Sequence, residues 1–146
     1  MEIQIRVMTV QDAAAVNELS GQLGYKLSVE ETRGHIEFML GSKEHCVRVA
    51  VVENKIVGWI HAFKTVRIET TPFIEIGGLV VDKDFRGKGI GKKLVDSISQ
   101  WCEQENVNSL RVRCNTKRIE AHAFYLKTEF RETKEQKIFE RKINKS

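Results

Sequence analysis

Only one proline, Pro72, stands among the 146 residues, and no stretch is rich in glycine, serine or proline, so nothing marks a linker between domains. Cysteine is nearly as scarce. Cys46, Cys102 and Cys114 form an odd set with no C-x-x-C pair, which excludes a disulfide framework and a zinc ribbon. Free thiols of this kind fit a reducing, cytoplasmic location. His35, His45, His61 and His122 show no H-E-x-x-H or comparable ligand spacing, so the motifs give no support to a metal. No apolar run approaches the ~18 residues that a membrane span needs. Met1–Val7 alternates polar and apolar residues, the pattern of a strand and not of a signal peptide.

What is present describes a soluble globular chain: 41% of residues are hydrophobic and 30% are charged, with both signs interspersed. The length suits one domain with its own core. The net charge of +4 calls for an anion among the partners, and nucleic acid, an acidic membrane surface and a phosphate-rich small molecule all qualify.

Local signals set the order of elements. Thr9 to Asp12 is an N-cap signal leading into Val16, Leu19 and Leu23 at helical spacing. Ser28-Val29-Glu30-Glu31 is a capping box that opens a second helix carrying Ile36, Met39 and Leu40. Cys46–Val52 and Ile56–Phe63 read as strands joined by a turn at Asn54, and Phe73–Val81 is a third apolar run. Ile90, Leu94, Ile98, Trp101 and Cys102 fall on one face of a helix starting near Gly89. Leu110–Cys114 is a further strand and Ile119–Thr128 a further helix; Phe130–Lys134 and Lys137–Ile143 close the chain as alternating strands. The predicted order is βααβββαβαββ, one α/β domain with a mixed central sheet and helices on both faces.

The positive charge is concentrated at one junction. Asp82–Lys93 holds five basic residues and two acidic ones, and within it Arg86-Gly87-Lys88-Gly89-Ile90-Gly91 lies between a buried strand and an amphipathic helix. Glycines there let the chain turn sharply and expose bare N–H groups, and the helix start adds unpaired donors and a positive dipole end. Such a junction reads as a pyrophosphate cradle; a basic turn with glycines for tight packing is the plainer alternative. Two other phosphate motifs fail by position: a P-loop needs glycine where Arg86 stands and Ser or Thr where Lys93 stands. The dinucleotide fingerprint needs a third glycine where Lys92 or Leu94 stands.

Arg86-Gly87-Lys88-Gly89-Ile90-Gly91 resembles the R/Q-x-x-G-x-G/A motif of the GNAT acyltransferases, which bind acetyl-coenzyme A. The resemblance extends to Ile74–Val81 before the motif and to Ala121-His122-Ala123-Phe124-Tyr125 after it, and the order of elements matches over essentially the whole chain. It implies a GNAT fold, a single GNAT acetyltransferase domain over residues 1–146, and acetyl-CoA as cosubstrate with no metal. It further implies that the backbone of Leu79, Val80 and Val81 pairs with the pantetheine arm and that the N–H groups from Gly87 through Gly89, Ile90 and Gly91 to Lys92 hold the pyrophosphate. Arg86 would fix the turn or touch phosphate, Lys88 and Lys92 would reach the outer phosphates, and Asn115 would bond the pantetheine region.

Tyr125 stands at the family's tyrosine position and is the expected acid for the leaving thiolate, since a phenol of pKa ~10 can protonate a thiolate whose acid has a pKa of ~8.5–9.5. A tyrosine packing its ring in the core is the plainer alternative. Glu75, a carboxylate in an apolar strand, is the candidate base, acting directly or through water; an edge position is its alternative. Gly77-Gly78 interrupts an otherwise ideal strand, which marks either a bulge or a close packing contact. One departure from the family pattern is Glu129-Phe130 in place of Gly-Phe after the tyrosine helix.

The expected reaction is transfer of acetyl to the amine of a small-molecule acceptor by direct attack in a ternary complex. The acceptor would bind at the Gly21–Ser28 loop, the second helix and the Glu135–Gln136 turn. The alternatives are a non-catalytic acyl-CoA sensor and an acetyltransferase acting on a protein N-terminus or lysine. A nucleic-acid module would need basic residues along a face with stacking aromatics interleaved, and that pattern is missing, so neither nucleic acid nor membrane is an expected partner. A homodimer is compatible with the resemblance but has no signature in the sequence.

Overall fold

The structure is a computed structural model that describes residues 1–114 and 118–143. The chain divides into two compact units, Met1–Arg113 and Cys114–Ser146.

The first unit is built on a five-stranded sheet in the order β1-β2-β3-β4-β5, comprising β1 (Gln4–Val7), β2 (His45–Val52), β3 (Lys55–Thr65), β4 (Phe73–Val81) and β5 (Leu110–Val112). The first four strands pair antiparallel, and β5 runs parallel to β4. The turn between β2 and β3 places Glu53 and Asn54 at φ 50° and 63°, the doubly left-handed geometry that suits a tight hairpin.

Two capping boxes start the helices of one face. Asp12 takes the Thr9 N–H at 2.7 Å and a two-pronged Arg6 guanidinium at 2.8 and 3.0 Å just before α1 (Ala13–Gly21). Ser28 and Glu31 exchange reciprocal bonds of 3.0 Å at the start of α2 (Val29–Leu40). Met8, Ala13, Val16, Ile36, Val47 and Val49 form a buried cluster there, with Trp59 packed against it. The opposite face belongs to α3 (Ile90–Gln104), whose Ile90, Leu94, Val95, Ile98, Trp101 and Cys102 are buried. Arg48, between Val47 and Val49 on β2, points to that side and donates to the Ser97 carbonyl at 2.9 Å. At about 1.5–3 kcal/mol for each large apolar side chain removed from water, these two layers hold the sheet. The mixed sheet with helices on both faces is as the sequence implies.

The second unit contains α4 (Ile119–Lys127). The strands expected over Phe130–Lys134 and Lys137–Ile143, and with them the Glu135–Gln136 turn, are not formed: residues 130–143 carry no strand. Alternation permits a strand but does not supply a partner, and an isolated two-stranded hairpin is at best marginal in water. Ile138 and Phe139 are 84% and 90% exposed, so neither draws the segment into a core.

Candidate active site

β4 carries the site. Its first half is paired on both sides, with Ile74, Glu75 and Ile76 opposite Leu110, Arg111 and Val112 of β5. From Gly77 to Val81 it pairs with β3 alone among the described residues. The register against β3 shifts here: His61 faces Gly78 and Ala62 faces Ile76, leaving Gly77 as the extra residue of a bulge. Both readings of the glycine pair therefore apply. A Cβ on Gly77 would lie 2.9 Å from His61 Nδ1, and one on Gly78 would lie 2.7 Å from the Trp59 ring. The bulge exists, and side chains of β3 occupy the space that the glycines leave.

After Val81 a short 3-10 turn, Lys83–Phe85, is capped by the buried Asp82, which accepts the Asp84 N–H at 2.9 Å. The Lys83 N–H donates to Gln22 at the end of α1 (2.9 Å), fixing the turn against that helix. Arg86 folds back, its Nε donating to the Val81 carbonyl at 3.3 Å. The ammonium groups of Lys55 and Lys88 lie 5.6 and 5.4 Å from the centre of the Phe85 ring.

Gly87 and Gly89 both adopt left-handed backbone, φ 77° and 82°, and Gly89 is the N-cap of α3. A side chain at either position would meet nothing within 4 Å, so the turn presents bare backbone to open space in front of a helix start. Lys92, one turn into α3, pairs with Asp96 at 2.8 Å. These residues fit a pyrophosphate: the donors are backbone, the approach is unobstructed and the nearby charge is positive.

Glu75 is largely buried, its side chain 13% exposed, with Arg113 Nε 3.4 Å from its Oε1. Two histidines that the sequence reading left unassigned meet on the α1/α2 face of the sheet. His45 Nδ1 and His61 Nε2 are 2.9 Å apart, and Phe63 and Phe38 flank the pair. Burial, and then the neighbouring His45, push the His61 pKa down to about 4.

Among the residues singled out from sequence, Glu75, Leu79, Val80, Val81 and the Arg86–Lys92 turn lie together in the first unit, on β4 and the loop that continues it. Asn115 lies outside the described residues. Tyr125 belongs to the second unit, on α4, with its ring edge-on to Phe124 and Phe130 at 5.1 and 5.4 Å. Its phenol departs from the expected ordinary acidity: burial pushes the pKa up to about 12, with Cys114 adding and Arg118 opposing. The three cysteines are free, and burial raises each thiol. No group of three or more metal-binding side chains occurs among the described residues.

The family model for the acetyltransferase (GNAT) family matches residues 13–130. The chain belongs to the GNAT family. Membership makes it an acetyl-CoA-dependent acetyltransferase by class. No curated protein matches it in sequence. Solved GNAT-fold structures match almost end to end. The aminoglycoside 6'-N-acetyltransferase AAC(6')-Ih from Acinetobacter baumannii is 16% identical, with 98% of this chain and 100% of that one covered and a TM-score of 0.87. AAC(6')-Iy in complex with the bisubstrate analog CoA-S-monomethyl-acetylneamine is 20% identical, with 97% and 99% covered and a TM-score of 0.85. Glucosamine-6-phosphate N-acetyltransferase from Arabidopsis thaliana is 23% identical, with 99% and 100% covered and a TM-score of 0.82. At these identities the likeness is one of fold.

Proposed function

We propose that this GNAT chain acts as a single catalytic domain over residues 1–146 and transfers the acetyl group of acetyl-CoA to an amine of a small molecule, by direct attack within a ternary complex. The observation that carries the reading is the continuity of β4, which from Gly77 on pairs with β3 alone among the described residues, with a bare, left-handed glycine turn at the start of α3. Acetyl-CoA, when bound, supplies an activated acyl group. The rest of the work falls to the chain. The N–H groups from Gly87 to Lys92 hold the pyrophosphate, Arg86 fixes the turn, and Lys88 and Lys92 serve the outer phosphates. The open backbone of Leu79, Val80 and Val81 takes up the linear arm by strand-like pairing, assisted by Asn115. Glu75, fixed by Arg113, draws in the ammonium form of the acceptor. Tyr125, at the family's tyrosine position, is the proposed acid for the departing sulfur, although burial makes its phenol a weaker donor than an ordinary tyrosine. A small-molecule acceptor is supported by the neighbours, which are named for aminoglycosides and for glucosamine 6-phosphate. Three free thiols are consistent with work in the cytoplasm.

Acetyl-CoA at 100 times its Kd should stabilise the protein by about 2.7 kcal/mol, read as a rise in melting temperature. Gly89→Ala should fold at a cost of about 1 kcal/mol and lose that rise, because the side chain enters the turn's open side and the backbone resists φ 82°. Free coenzyme A should appear on adding one of a panel of amines (kanamycin, spermidine, glucosamine 6-phosphate, 2-phenylethylamine). No rise with acetyl-CoA would refute the cradle. Binding without release on any amine would leave a sensor.

A further inference from the structure

Attack of an amine on a thioester turns the nitrogen positive as the N–C bond forms, so its N–H becomes strongly acidic and even a weak base can take the proton. What such a base needs is position, a bare lone pair and a fixed orientation. Glu75 is already engaged by Arg113. His61 meets all three needs. It lies on β3 opposite Gly78, with Nε2 bonded to His45 and Nδ1 directed at the Gly77 bulge, where a Cβ would come within 2.9 Å of it. Among the described residues Nδ1 has no hydrogen-bond partner, and the Gly77 backbone that it packs against is exposed, next to the part of β4 that β5 does not pair.

We propose that His61 is the catalytic base of the acetyl transfer and that His45 is its positioning residue, accepting the His61 Nε2–H through Nδ1 and so leaving the Nδ1 lone pair of His61 free for the amine. This rests on the acetyltransferase reading above. The ammonium acceptor first gives up one proton to water; the lone pair of the neutral amine then forms the N–C bond, the N–H bond breaks as that proton bonds to His61 Nδ1, and the electron pair left on nitrogen completes the amide. The C–S pair leaves with sulfur, which takes a proton supplied ultimately by solvent. His61 then releases the gained proton to water, and the sum is amine plus thioester to amide plus thiol. Glu75 keeps the electrostatic part, attracting the cationic amine.

The surroundings favour a neutral imidazole ready to accept. β2 faces His61 with His45 and Val47, β4 faces it with the glycines and, two positions along, Glu75 opposite Phe63, and α2 brings Phe38 to His45. The nearby cations point away: Arg48 bonds to α3, and Lys64 pairs with Glu105 at 3.0 Å. Burial keeps the ring uncharged at neutral pH.

The test measures kcat for wild type, His61→Gln and His45→Phe with the panel amine turned over fastest, and records long-range 1H–15N spectra of the acetyl-CoA complex. An acetyl-CoA-induced melting shift equal to wild type certifies that each variant is folded and loaded. His61→Gln should lower kcat about 100-fold, within the usual range for a lost general base. His45→Phe, which keeps the ring packing, should lower it about 10-fold and abolish the single Nε2–H tautomer that the wild-type His61 signals should show. His61→Gln with kcat within twofold of wild type, or an Nδ1–H tautomer at His61, overturns the proposal and leaves the acetyltransferase reading standing.

Discussion

Glu129 occupies a conformation that its side chain disfavours. It sits at φ 72° immediately after α4, while the Phe130 N–H reaches back to the Tyr125 carbonyl at 3.0 Å and the two rings meet edge-on. This is a helix stop of the Schellman type, with its outer hydrogen bond and its apolar contact in place but lacking the glycine that makes it inexpensive. Glu129→Gly should therefore stabilise the protein by about 1 kcal/mol, read as a higher urea midpoint. The departure was visible in the sequence as a missing glycine, and the consequence followed from residue chemistry alone. His61 was different. Its strand pattern showed alternation with Trp59 and Phe63, but its partner His45 lies 16 residues earlier in the chain and meets it diagonally across a hairpin. Only the register fixes such a pair, and the shift between Ala50 and Val51 changes that register after the turn. His45 and His61 were legible as residues and not as a couple.

At the scale of elements, the signals that read well were those contained within one turn or one strand. The Ser28–Glu31 box, the Asn54 turn and the apolar run Phe73–Val81 each specify their own geometry. The bulge at Gly77 was legible as a break, but its steric cause, the rings of His61 and Trp59 from the next strand, was not. Asp12 extends the first cap beyond local chemistry. Burial alone would raise its carboxyl, yet the hydrogen bonds from Arg6 and Thr9 outweigh that and hold it below the ordinary 3.8. A carboxyl lowered in the folded state contributes stability that is present above the unfolded value and is lost as pH falls through the folded one. Asp12→Ala should accordingly cost about 2 kcal/mol at pH 7 and progressively less as pH falls through the folded value, measured by chemical unfolding at neutral pH and across the acid range.

For the whole molecule, the family match ends at residue 130, and the 13 residues that follow in the described chain carry no helix or strand. Their alternating pattern suggested strands because periodicity reports which face a strand would bury, not whether a neighbour exists to pair with it. Amide hydrogen exchange should separate the two cases: residues 131–143 should exchange within seconds, while β2 and β3, hydrogen-bonded along their length, should be protected by orders of magnitude. The sequence's surplus of positive charge has its largest local share at the Asp82–Lys93 junction, and the structure puts that charge around bare backbone. The half of β4 that β5 leaves unpaired among the described residues has one more implication. Open strand edges template aggregation when they lie at the border of a sheet. This one begins where β5 leaves off, after Ile76, so among the described residues it is a short open edge of five residues, broken at its start by the Gly77 bulge. A bulge and a short length are the features that discourage a neighbouring strand from extending the sheet there, while an extended arm of a few bonds still fits.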